Sequence, residues 1–225
     1  MPCFLSGVAA AESIAASVGA PIYRFSHQCG HVMAALYSSN SESLINECFA
    51  AFHISGGTTE LLLVKGSEHG FDAKLVGGTK DLNAGQVIDR IGVHLGMPFP
   101  AGPHLERLAL EYIGKIPAKK VSVDGTYANF SGLENIAKKI YSESGDKDKT
   151  AAFVFDYIGN SVVEMCRSLK AEYGELPFVF AGGVMCNSII KNKLALEFDS
   201  HFAEPLLSAD NAVGIAELTR LNFRK

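Results

Sequence analysis

Two histidines, His27 and His31, stand four residues apart in the run His27-Gln28-Cys29-Gly30-His31. On a helix, that spacing puts both imidazoles on one face about one turn apart, within reach of a single metal ion. The H-E-x-x-H pattern of zinc peptidases carries a glutamate after its first histidine as general base. Here that position is Gln28, so the hydrolytic base is absent. Spacing alone shows no third ligand, and two chance histidines on a half-buried face are the competing reading. Gly30, inside the same helix, costs about 1 kcal/mol against alanine, which implies a close approach at that point.

Two glycine turns come next. In Ser55-Gly56-Gly57-Thr58-Thr59, glycines between two strands let backbone N–H groups and hydroxyls approach a phosphate. An ordinary hairpin turn reads the same way. In Ala181-Gly182-Gly183-Val184-Met185-Cys186-Asn187 a strand meets a double glycine and a helix start. The glycines there could admit a flat base or a ribose, with Asn187 reaching a hydroxyl or simply capping the helix. Asp89 reads on its own as a solvated helix carboxylate, Gly102 as part of a proline turn, and Asp210 as an N-cap.

The elements that must hold these residues follow from pattern. Residues 6–18 read as a helix ending at Gly19, 21–25 as a short buried strand, and 27–37 as a helix capped by Ser26. Residues 48–54 and 60–64 flank the first glycine turn as a hairpin, and 71–76 is a third strand. Val87, Ile88, Ile91 and Leu95 form a helical stripe, prolines 98, 100 and 103 bracket a turn, and 105–113 resumes helix. Phe155, Ile158, Val162, Cys166 and Leu169 give the cleanest stripe. Residues 177–181 read as a strand, 187–196 and 212–221 as helices, and 142–149 as an exposed linker. The sum is an α/β lobe with mixed strand directions. No G-x-G-x-x-G follows an early strand, which argues against the simplest dinucleotide-binding order.

Composition narrows the class. Of 225 residues 48% are apolar, enough for a true core and too many for a disordered chain. Lys and Arg number 20 against 24 Asp and Glu, so RNA contact must be local or shared with a partner. Five widely spaced cysteines without a C-x-x-C pair suit free thiols in a reducing cytosol. No apolar run has membrane-span length, and the N-terminus lacks a secretory pattern, so the expectation is a cytoplasmic protein with no membrane contact.

Six segments in order, FSHQCGHVMAAL, HISGGTTELLLV, NAGQVIDRIGVHLGMPFPAGP, NFSGLENIAKKI, FVFAGGVMCNSIIKNKLA and LLSADNAVGIAEL, resemble the family of tRNA threonylcarbamoyladenosine synthases, formerly labelled O-sialoglycoprotein endopeptidases or glycoproteases. The resemblance runs from about Pro2 to the C-terminus. It implies the actin-like ATPase fold of the Hsp70 and sugar-kinase superfamily, with mixed sheets flanked by helices. It implies one divalent metal, iron or zinc, on His27, His31 and Asp210. It also implies ATP or threonylcarbamoyl-AMP with phosphates on Ser55, Gly56, Gly57 and Thr58, and the adenosine side on Asp89, Gly102 and Asn187. Members transfer threonylcarbamoyl from threonylcarbamoyl-AMP to the adenosine beside the anticodon of tRNA, with protein partners of the same pathway. The metal would act as Lewis acid rather than activate water, in keeping with the missing base.

The chain departs from the family pattern in four places. Cys29 replaces the glutamate of H-x-E-G-H, Thr58 follows S-G-G where His or Asn is usual, and Glu134 replaces the lysine of S-G-L-K. The acidic opening hairpin of the family has no counterpart. The expectation is therefore a diverged paralogue, truncated at its N-terminus, with an incomplete first lobe at 1–52 and 200–225 and a second lobe at 53–199. The reading of a different class is a non-catalytic paralogue that acts as a binding or dimerisation partner; the metal histidines argue against it.

Overall fold

The computed structural model describes residues 2–68, 70–208 and 211–223, with side chains from residue 5 onward. Its elements in order are α1 (Pro2–Val18), α2 (His27–Ser38), β1 (Cys48–Ile54), β2 (Thr59–Ser67), β3 (Gly70–Thr79), α3 (Ala84–His94), α4 (Gly102–Glu111), β4 (Val123–Asp124), β5 (Tyr127–Ala128), α5 (Ser131–Ser144), α6 (Lys147–Tyr173), β6 (Phe178–Ala181), α7 (Ser188–Ala195), β7 (Ser200–Phe202) and α8 (Val213–Phe223).

Seven strands form one mixed sheet in the order β4-β5-β3-β2-β1-β6-β7. β1 lies antiparallel to β2 and parallel to β6, which is itself parallel to β7. Alternation along β1 sends Ala50, Phe52 and Ile54 into the larger core, with α3 to α7. Phe49 and Ala51 go the other way, into a smaller core with Val32, Met33 and Leu36 of α2 and Leu218 of α8. A strand buried on both faces needs an apolar residue at nearly every position, which β1 supplies. α1 lies apart from both cores, with Leu5, Ile14 and Val18 all more than 60% exposed.

Several expectations need correction. Residues 21–25 are not a strand; Ile22 is exposed, and the segment pairs with no strand among the described residues. Five residues broken by the charged Arg24 fix no partner, and Pro21 cannot donate to a ladder. The linker expected at 142–149 shrinks to Gly145 and Asp146. Gly145 ends α5 at φ +65°, and the Asp146 carboxylate accepts from the Lys149 N–H at 2.8 Å to start α6. The helix expected from residue 105 begins at Gly102, with Pro103 in its first turn. One sheet runs from Cys48 to Phe202.

Candidate functional site

Ser26 caps α2 through the Cys29 N–H at 3.1 Å, which fixes where the helix starts and hence the direction of its first turn. His27 in that turn and His31 one turn later converge, with His27 Nε2 3.0 Å from His31 Nε2. That separation suits two imidazoles sharing one ion at ligand distances of about 2.0–2.1 Å. Asp210, the third implied ligand, lies outside the described residues, and among the described residues no group of three or more His, Cys, Asp or Glu is arranged to hold a metal. The pair fits two of the ligands. Gly30 has its own explanation: α8 crosses α2 there, with Ile215 Cδ1 3.0 Å from where a Cβ would stand.

The histidines open onto a cavity of about 210 Å³ between α2 and the sheet, which His53, Thr58, Glu60 and Ala181 also line. It lies at the carboxyl ends of the parallel strands β1 and β6, the usual place for ligands in open α/β sheets. On the other face of the sheet, Gly56, Asp89, Gly102, Glu106, Gly183 and Asn187 line a second cavity of about 320 Å³. The turn 55–58 stands between them. Gly56 reaches the second cavity and Thr58 the first.

Within the turn two N–H groups converge on one oxygen. Ser55 Oγ accepts from the N–H of Gly57 at 3.3 Å and of Thr58 at 3.1 Å, the arrangement a phosphate oxygen would use. The N-terminus of α3 is pinned to it: Asn83 Nδ2 donates to the Gly57 carbonyl at 2.8 Å, and the Ala84 N–H to Thr59 Oγ1 at 3.1 Å. Gly85 permits this approach, since a Cβ there would come within 2.5 Å of the Ser55 carbonyl oxygen. A helix N-terminus so placed favours negative charge. A Cβ on Gly56, Gly57 or Gly183 would meet nothing within 4 Å, so these three border open space. The constrained glycine is Gly182, at φ +97° against the Ile54 carbonyl.

Asn187 is 4% exposed and uses half of its amide: Oδ1 caps α7 by accepting from the Ile190 N–H at 3.0 Å. Nδ2 is buried without a partner, a donor waiting for an acceptor in the second cavity. Asp89 is not a solvated carboxylate. Its Oδ1 accepts from the Ala101 N–H at 2.8 Å and holds the proline loop that carries Gly102. Glu106, which sequence reasoning missed, accepts from both the N–H and the hydroxyl of Ser188 at 2.7 and 2.6 Å, tying α4 to α7. Its position four residues beyond Gly102 was the available signal. His53 was missed too; it sits two residues before Ser55, on the face of β1 that alternation turns toward α2.

Glu134 also has a place. It bridges Lys138 at 2.6 Å and Arg90 at 3.1 Å, joining α5 to α3. The Lys138 ammonium holds its carboxyl below the ordinary range; burial opposes this and Arg90 adds to it.

Comparisons with known proteins agree with this architecture. The family described as "TsaD: tRNA N6-adenosine threonylcarbamoyltransferase" matches residues 1–217. A tRNA N6-adenosine threonylcarbamoyltransferase of Streptococcus suis is 33% identical over 229 residues, covering 94% of this chain and 64% of that protein. The Bacillus licheniformis protein of the same name is 30% identical over 236 residues, covering 98% and 67%. The chain thus spans less than two thirds of the Streptococcus protein. Among solved structures, full-length HypF in its phosphate- and nucleotide-bound form aligns with a TM-score of 0.69 at 12% identity, over 95% of this chain and 45% of that one. Component A of the Acidaminococcus fermentans (R)-2-hydroxyglutaryl-CoA dehydratase aligns at 0.55 and 18%, over 87% and 67%. The fold is that of the actin-like ATPases, a mixed sheet flanked by helices.

Proposed function

Because the chain belongs to the tRNA N6-adenosine threonylcarbamoyltransferase family, we propose that it binds one divalent metal, iron or zinc, together with ATP or threonylcarbamoyl-AMP, and transfers threonylcarbamoyl to the adenosine beside the anticodon of tRNA. The observation that supports this best is the turn 55–58, whose two ends border two different cavities. An adenylate laid across it has its adenosine beside Asp89, Gly102 and Asn187. Its phosphate then meets Ser55, Gly56, Gly57 and Thr58, and its carbamoyl end faces the histidines.

His27 and His31, with Asp210, would hold the metal, which when bound supplies Lewis-acid polarisation of a phosphoryl or carbamoyl oxygen. The protein residues bind and orient. The unpartnered Asn187 Nδ2 donates to the nucleoside, and the phosphate meets the turn 55–58, where it would take over the Gly57 and Thr58 N–H groups that Ser55 Oγ accepts from. Transfer then forms a bond from the adenosine exocyclic nitrogen to the carbamoyl carbon, breaks the bond from that carbon to the phosphate oxygen, and releases AMP. Gln28 offers no base to activate water, consistent with acyl transfer rather than hydrolysis. The sheet-bearing part is the second lobe of the fold in this reading. Residues 53–199 are that second lobe, and the segments 1–52 and 200–225 are what the chain carries of the first. Its partners are tRNA and the proteins of the pathway.

The test is incubation of the chain with tRNA, threonylcarbamoyl-AMP and pathway proteins, followed by mass spectrometry of the tRNA nucleosides. Threonylcarbamoyl-adenosine that disappears with His27→Ala/His31→Ala supports the reading. Its absence in the parent chain, despite nucleotide binding, would favour a non-catalytic partner.

A further inference from the structure

The histidine cavity holds a third imidazole. Alternation along β1 puts Phe49, Ala51 and His53 on the side facing α2, and the first two are apolar residues of the smaller core. His53 ends that row at the cavity, opposite Glu60 on β2 and beside Ala181 on β6. The small alanine leaves room for a ring. The His53 ring centroid lies 4.4 Å from that of His31, the planes 32° apart, and the His31 ring lies 4.4 Å from that of His27 at 81°. The three rings form one packed series along the cavity wall.

His27 opens α2 and is exposed, and His31 follows one turn later, half-buried. The central strand is the most rigid support within reach. We propose that His53 is a positioning residue of the metal centre: anchored on β1, its ring packs on His31 and keeps His31 Nε2 turned toward His27 Nε2. The inference rests on the metal reading above. Groups that orient a metal ligand typically change affinity by about 10–100-fold.

The test uses the whole chain. Competition with a chromogenic chelator gives Zn(II) affinity, the visible absorption of the Co(II) form reports the ligand set, and thermal melting checks the fold. The set is the parent, His27→Ala, His53→Ala and His53→Phe. His27→Ala should abolish the site. His53→Ala should bind about 10-fold or more weaker, with the Co(II) bands unmoved, and His53→Phe, which restores a flat ring, should recover most of the affinity. Parent-like affinity in His53→Ala overturns the positioning role. Shifted Co(II) bands in both His53 variants also overturn it, because His53 would then be a ligand. If the parent binds neither ion, the metal reading itself fails.

Discussion

Gly214 of α8 and Gly30 of α2 meet backbone to backbone: a Cβ on Gly214 would strike the Gly30 carbonyl oxygen. The crossing locks the helix that carries His27 and His31 against the last helix of the chain. Gly214→Val must push the helices apart, and overpacking of this kind costs about 2 kcal/mol. Chemical denaturation should show that loss. Because the shift moves α2 over the sheet, Zn(II) affinity should fall as well; a variant as stable as the parent contradicts the crossing.

Two glycines of the site should respond in opposite ways. Gly182 stands at φ +97° with the Ile54 carbonyl beside it, so Gly182→Ala should destabilise by roughly 1–3 kcal/mol. Gly56 borders open space, so Gly56→Val should keep its melting temperature while weakening ATP binding. Equal affinity for ATP would move the phosphate elsewhere.

Asn187 separates capping from recognition. Asn187→Asp keeps the oxygen that caps α7 and removes the orphaned donor. It should melt near the parent temperature and bind AMP more weakly. Asn187→Ala should lose both, including about 1 kcal/mol of cap. AMP binding unchanged in both variants would exclude Asn187 from the nucleoside site.

Glu134 makes stability depend on pH. Lys138 and Arg90 favour its charged form in the fold, so its folded value lies below the ordinary 4.5. Its contribution is present above about pH 4.5 and is lost as pH falls through the folded value. Glu134→Gln should be about 0.5–1 kcal/mol less stable at pH 7, and the gap should close on acidification. Melting curves between pH 6 and 3 measure it, and a constant gap contradicts the assignment.

The centre of the sheet was legible because β1 and β6 are nearly pure apolar runs next to glycine turns, and α2, α3 and α6 because their stripes are regular. The short strands β4, β5 and β7 were not legible: two or three residues carry no period, and they exist by pairing with neighbours already in place. Within the site, His27, His31 and the turn 55–58 stood out by spacing. Asp89 and Gly102 stood out only through resemblance, since a helix carboxylate and a proline turn look ordinary until Asp89 is seen holding the Ala101 N–H. The local signs at His53 and Glu106, two residues before Ser55 and four beyond Gly102, fix no role, because their roles depend on contacts made between elements distant in sequence.

The account holds that one turn joins a metal cavity to a nucleotide cavity. Calorimetric titration of AMP into the chain, before and after addition of Zn(II), tests this most directly. The account predicts one-to-one binding that tightens about tenfold with the metal, equivalent to about 1.4 kcal/mol. In His27→Ala/His31→Ala, AMP should still bind, without the metal-dependent gain. Equal affinity with and without metal in the parent chain, or no AMP binding in either state, would contradict it.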